Sequence, residues 1–140
     1  MASNESLLLD TCAMIWLAED EPISATATAE IERVASRGGR VAVSPMSAWE
    51  LGLLVAKGRL PSTKPPERWF DEFRRLGEVS LEELTPAILI ASSFLPPPVH
   101  NDPVDRILIA TARENGLTIV TRDRAILEYG EAGHVRVLAC

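Results

Sequence analysis

Asn101-Asp102-Pro103-Val104-Asp105-Arg106-Ile107-Leu108-Ile109-Ala110-Thr111-Ala112 reads as the opening of a helix. Asp102 is a good N-cap, and Pro103 falls at the first helical position, where its missing N–H costs nothing. Asp105 then sits in the first turn. Leu108, Ile109 and Ala112 follow it at helical spacing, so this carboxylate shares a face with apolar side chains. Arg106 and Arg113 mark a different, solvated face. Burying a carboxylate alone is prohibitively costly, so an inward Asp105 calls for a partner charge or a metal ion.

Upstream, Ser6–Leu9 is a short apolar run ending on Asp10, as in a fully buried strand with a carboxylate at its carboxyl end. Met14, Ile15, Trp16 and Leu17 suggest a short helix that stops near Asp20-Glu21-Pro22. Ser24 starts a second helix and Gly38-Gly39 closes it. Arg40–Val43 reads as a strand, and Ser44-Pro45 caps a third helix to about Lys57-Gly58. In that helix Met46, Trp49, Leu53 and Leu54 trace an inward stripe, with Glu50 on or beside it. Glu50 is a second inward acid.

Arg59 to Pro66 is loop, and the helix after it places Trp69, Phe70 and Phe73 at helical spacing, as an aromatic cluster on the core. Glu78–Leu81 reads as a short strand, and Thr85-Pro86 opens a helix that ends before Pro96-Pro97-Pro98. Pro103–Asn115 is the organising helix, closed by Gly116. Leu117–Thr121 is a β-branched strand followed by Arg122-Asp123, so Asp123 repeats the placement of Asp10. Val135–Leu138 makes a last strand.

Strands alternating with helices predict a three-layer α/β/α sandwich around a mainly parallel twisted sheet. In such sheets ligands bind beyond the carboxyl ends of the strands, near a topological switch point. Asp10 and Asp123 belong at those ends, and Glu50 and Asp105 on helices leaving them. Four acids from four segments are thus expected at one edge.

The chain has 140 residues, 46% of them hydrophobic and 5% aromatic, which fits one domain over residues 1–140 with an aliphatic core. No apolar run reaches the roughly 18 residues of a membrane span, and Met1 to Ser6 lacks the basic region of a signal peptide. The expectation is a soluble cytoplasmic protein. A net charge of −6 argues against a passive nucleic-acid binder with a broad basic surface. It leaves room for an enzyme whose acids hold cations, because a bound metal reverses the local sign. Cys12 and Cys140 make no disulfide framework, and His100 and His134 lack zinc-ligand spacing. Cys12 reads as a buried small residue.

Clustered carboxylates repel one another unless a cation sits among them. Oxygen-only ligands suit Mg²⁺ or Mn²⁺, which activate water and stabilise a leaving oxygen in displacement at phosphorus. Singly, Asp102 reads as a helix cap, while Asp10 and Asp123 serve as turn or cap residues as readily as ligands. Glu50 and Asp105, on apolar stripes, resist that reading. A phospho-acceptor module like a receiver domain needs paired acids near the first strand and a late lysine. Glu5 is too far upstream, and the lysines are Lys57 and Lys64. A phosphatase of the haloacid-dehalogenase type needs an acid where Cys12 stands. A non-catalytic scaffold leaves the four acids without a task.

Leu7-Leu8-Leu9-Asp10-Thr11, Ser47-Ala48-Trp49-Glu50-Leu51, Asp102-Pro103-Val104-Asp105-Arg106 and Val120-Thr121-Arg122-Asp123 resemble, in order and spacing, the successive signatures of PIN domains. They are most similar to those of VapC-type ribonuclease toxins of bacterial toxin–antitoxin pairs. The resemblance implies Mg²⁺- or Mn²⁺-dependent RNA cleavage, homodimerisation, and inhibition by a VapB-type antitoxin. Asp10, Glu50 and Asp105 match the family's acidic triad, and Asp123 its fourth acid. Asp102, Thr11 and Thr121 match supporting positions, and His100 stands where such toxins often carry a histidine. Arg106, Arg122 and Lys57 are candidates to guide the RNA backbone. An apolar groove for a partner helix is expected, with Trp16, Trp49 and Trp69 as candidate contributors.

Overall fold

The computed structural model describes residues 5–140; the sequence-based reading of Met1 to Asn4 lies outside them. Five strands form one sheet: β1 (Ser6–Leu9), β2 (Arg40–Val43), β3 (Ser80–Leu81), β4 (Thr118–Thr121) and β5 (Arg136–Ala139). Their order is β3-β2-β1-β4-β5, and every pairing is parallel. The sheet expected to be mainly parallel is therefore wholly so. The chain winds outward from β1 to β2 and β3, then returns to the other side of β1 for β4 and β5. The switch point lies between β1 and β4, the strands that deliver Asp10 and Asp123.

Among the described residues seven helices connect the strands: α1 (Thr11–Ala18), α2 (Ala25–Ser36), α3 (Pro45–Ala56), α4 (Pro66–Gly77), α5 (Pro86–Ala91), α6 (Pro103–Asn115) and α7 (Arg124–Glu131). Strand alternation divides the core between the two faces of the sheet. Leu7, Leu9, Val43 and Val120 pack with Met14, Val34, Leu51 and Phe70 of α1 to α4. Leu8, Ala42 and Ile119 pack with Ile88, Leu108, Ile109 and Ile126 of α5 to α7. The central strand β1 is buried on both faces, which is why Leu7-Leu8-Leu9 reads as an unbroken apolar run. Trp69 and Phe73 stack with centroids 5.8 Å apart, and both pack on the core as expected.

Helix ends follow the sequence closely. Ser24, Ser44, Thr85 and Asp102 each accept a hydrogen bond from a first-turn backbone N–H. Gly116 closes α6 at φ +69°, a left-handed conformation that costs glycine little.

Two expectations are corrected. The inward face of α3 carries Ser47 and Leu51, while Trp49 is 55% exposed and Leu53 also lies outside. Met46 and Leu54 pack on the core as expected; the other two differ because α3 is apolar nearly all round, so that spacing alone does not single out its buried face, which includes the hydroxyl-bearing Ser47. Cys12 is exposed rather than buried, because the next residues, Ala13, Met14 and Ile15, supply the buried face of α1. Among the described residues no helix is long and apolar enough to cross a membrane.

Candidate active site

A cavity of about 390 Å³ opens at the carboxyl edge of the sheet, over the switch point. Asp10, Glu50, Asp102, Asp105 and Asp123 all line it. Each is delivered by a different local device. Asp10 ends β1 and caps α1, its Oδ1 accepting from the Ala13 N–H at 2.8 Å. Its Oδ2 accepts from the Thr121 hydroxyl at 2.5 Å. Thr121 in turn accepts from the Asp123 N–H at 3.0 Å, while Asp123 Oδ1 caps α7 through the Ile126 N–H at 3.0 Å. One hydroxyl thus ties the ends of β1 and β4 together.

Glu50 is held from α1. The Thr11 hydroxyl donates to Glu50 Oε1, and Ser47 Oγ lies 3.0 Å from Thr11 Oγ1. Because the Thr11 proton is committed to Glu50, the Ser47 proton points to Thr11, completing a relay of hydroxyls within an otherwise apolar layer. Asp102 uses Oδ1 to cap α6, accepting from Val104 and Asp105 N–H groups at 2.9 and 3.1 Å. Asp105 Oδ2 lies 2.8 Å from His100 Nε2. Among the described residues no buried side-chain polar atom lacks a partner.

The electrostatics are those of an uncompensated acid cluster. Desolvation raises the pKa of Asp105 to about 7, reinforced by the charges of Asp102 and Asp123. Burial also pushes Asp10 up against the pull of its Thr121 hydrogen bond, and pushes Glu50 up against that of Thr11. The Cys12 thiol, on the cavity wall, is driven to about 11 by desolvation and by Asp10, Glu50, Asp105 and Asp123. Negative charge accumulates here with too little positive charge to balance it.

The donor set fits a hard divalent cation: oxygen ligands predominate, with one imidazole. Among the described residues one group already has ligand atoms at metal-sharing separations: His100, Asp105 and Asp123, within 4.8 Å of one another. His100, whose role was open from sequence, thereby joins the site. Its signal was proximity to Asp105 across the turn before α6, too short to show as periodicity.

The basic residues separate. Arg122 lines the cavity, its guanidinium carbon 4.0 Å from the centre of the Trp16 ring. Arg106 does not line it and is half-buried, donating to the Ser92 and Ser93 carbonyls at the end of α5. Lys57 is exposed at the far end of α3 from Glu50. A groove of about 300 Å³ beside α4 is lined by Leu17, Trp69, Phe73 and Leu76. A larger concavity, about 760 Å³, lies at the opposite edge of the sheet, where Arg113 and Arg136 donate to the His134 and Gly116 carbonyls.

Residues 7–132 match the family model described as PIN domain. The chain is 31% identical over 125 residues to Ribonuclease VapC22 of Mycobacterium tuberculosis, covering 89% of this chain and 92% of the relative. It is similar in fold to VapBC2 from Rickettsia felis, solved bound to a promoter DNA fragment, with a TM-score of 0.70 at 15% identity, covering 96% of this chain and 98% of that one. DNA-bound VapBC from Salmonella typhimurium gives a TM-score of 0.67 at 18% identity, again covering 96% and 98%. Asp10, Glu50, Asp105 and Asp123 all lie within the matched residues, and the chain belongs to the PIN domain family, among its VapC-type members.

Proposed function

We propose that this protein is a metal-dependent endoribonuclease, the toxin of a toxin–antitoxin pair, and that its whole chain acts as one nuclease domain. One observation carries the reading: five carboxylates from four segments converge on a single cavity, three of them with raised pKa values. Such a cluster is costly without a cation and useful with one.

Asp10, Glu50, Asp105 and Asp123 would hold Mg²⁺ or Mn²⁺, with Asp102 and His100 beside them. The ion supplies Lewis acidity at phosphorus and lowers the pKa of water. The chain contributes orientation. Thr121 and the Ala13 N–H fix both oxygens of Asp10, and the Ser47–Thr11 relay fixes one oxygen of Glu50. Burial and the neighbouring acids raise the Asp105 pKa to about 7, so a cation held here would favour its ionised form. Arg122 faces the RNA backbone from the rim. Arg106, the other arginine candidate, donates to the Ser92 and Ser93 carbonyls after α5. The VapC-type relative and the VapBC neighbours support a VapB-type antitoxin as protein partner, and a homodimer accords with the family.

The test is cleavage of total cellular RNA by antitoxin-free protein, compared with Mg²⁺ or Mn²⁺, with EDTA, and with the Asp105→Asn variant plus metal. Discrete cuts confined to the first sample are expected. An Asp105→Asn variant as active as the parent overturns the mechanism.

A further inference from the structure

The cavity wall carries one cation among its acids, and that cation avoids them. Arg122 lines the same space as Asp10, Glu50, Asp102, Asp105 and Asp123. Yet none of the ion pairs among the described residues includes it. Its guanidinium instead lies over the Trp16 ring at 4.0 Å, and its Nε donates to the Cys140 backbone oxygen at 3.2 Å. Nε is its one nitrogen hydrogen bonded to an oxygen among the described residues. The guanidinium also meets the Cys140 thiol, and no side-chain carboxylate among the described residues occupies it.

Trp16 is a firm base for this arrangement. It is half-buried and packs on the core cluster that includes Met14 and Leu9. The guanidinium plane matches an indole face and resists deprotonation, which an ammonium on a flexible stem does not reproduce. The same two segments carry two of the acids: α1 starts directly after Asp10, and Arg122 directly precedes Asp123. The stacked pair is therefore built into the site's rim. In a chain of net charge −6, a local fixed cation is the economical way to meet a polyanion.

We propose that Arg122, seated on Trp16, is a binding site for an RNA phosphodiester flanking the scissile one, with Trp16 as its positioning residue. This rests on the nuclease reading above. The acids and their cation take the scissile phosphate, and Arg122 takes a neighbour and so sets the register of the strand. Holding the guanidinium off the carboxylates preserves it for substrate.

The test is fluorescence anisotropy with a short, fluorescein-labelled single-stranded RNA of mixed sequence, in EDTA to prevent cleavage. The RNA is scanned with single methylphosphonates, each removing one backbone charge, and Mn²⁺ binding is measured separately. Wild-type protein should lose affinity sharply at particular methylphosphonates. Arg122→Ala should weaken binding about tenfold or more, as for a lost charge-assisted hydrogen bond, and show a smaller salt dependence. It should also lose sensitivity to those same methylphosphonates. Trp16→Leu, which keeps apolar packing without the π face, should show the same lost sensitivity, and Arg122→Lys should not restore it. In cleavage assays these variants should change KM far more than kcat, with Mn²⁺ affinity unchanged. Arg122→Ala protein that binds RNA as tightly as wild type, or keeps the wild-type methylphosphonate pattern, overturns the proposal. If that protein also cuts RNA with metal, only this inference falls. If wild-type protein cuts nothing with any metal, the nuclease reading falls with it.

Discussion

Thr121 donates its hydroxyl proton to Asp10 Oδ2 at 2.5 Å across 111 residues of sequence, and Thr121 Oγ1 accepts the Asp123 N–H. Two acids are thus oriented by one side chain that is fully buried. Thr121→Val keeps the shape and the β-branched strand propensity but removes the hydroxyl. It should weaken Mn²⁺ binding about 10- to 100-fold, as loss of a ligand-orienting group does. It should cost about 1–3 kcal/mol of stability, since Asp10 is left with an unmet buried acceptor. Calorimetric titration and urea unfolding read the two effects. Unchanged Mn²⁺ affinity would show that Asp10 needs no such support.

Asp105 ties stability to pH. Its carboxyl titrates near 7 in the folded protein against 3.8 ordinarily, so between those values the folded state holds the extra proton. Stability of the metal-free protein should therefore fall as pH climbs from about 4 to about 7, then level off. At about 1.4 kcal/mol per pKa unit the loss is a few kcal/mol, shared with the neighbouring acids. Desolvation and the charges of Asp102 and Asp123 cause it. Asp105→Asn should flatten the slope and leave the metal-free protein more stable than wild type at pH 8. Mg²⁺ should stabilise wild type and do little for the variant. Urea unfolding in EDTA at pH 5 and pH 8 checks this, and wild-type stability that rises over that interval would contradict it.

Much of this was legible in the sequence because the signals were local. Pro103 and Gly116 bracket α6, Ser44-Pro45 opens α3, and the Leu7-Leu8-Leu9 run can only be a strand buried on both faces. The convergence of acids followed from strand ends and helix starts in a parallel sheet. What was not legible depends on tertiary neighbours. Helix α3 is apolar on most sides, so its sequence could not say that Ser47 faces inward and Trp49 outward. Arg106 and Arg122 look alike in one dimension. Only the fold shows one bonded to carbonyls after α5 and the other poised on Trp16.

Glu82 offers a control far from the chemistry. Only 5% exposed, it pairs with Arg40 at the start of β2 and accepts from Asn115 Nδ2 at 2.9 Å at the end of α6. These contacts join β2 and α6 to the segment after β3, the outermost strand of the sheet, with β2 and β1 between it and the switch point. Glu82→Ala should destabilise the protein by about 1–3 kcal/mol by stripping Arg40 and Asn115 of their partner. Mn²⁺ affinity and cleavage per folded molecule should stay at wild-type values. A loss of metal binding in a folded variant would mean that the outer strand is coupled to the switch point.

Cys12 gives a chemical readout of the cluster's charge. It is exposed, yet its thiol is held at about 11 by desolvation and by four surrounding carboxylates. Since the thiolate is the reactive form, iodoacetamide should label Cys12 slowly at pH 7.5, and faster only as pH approaches 11. Neutralising one acid, as in Glu50→Gln, should lower the thiol's pKa and speed labelling at fixed pH. A divalent cation among the acids should do the same, provided that it leaves the sulfur accessible. Cys12→Ser should cut RNA at the wild-type rate, because a thiol so held contributes no nucleophile. Rapid labelling of metal-free wild type at pH 7.5 would mean that the acids do not set the potential at Cys12, and that the cavity is less negative than its walls imply.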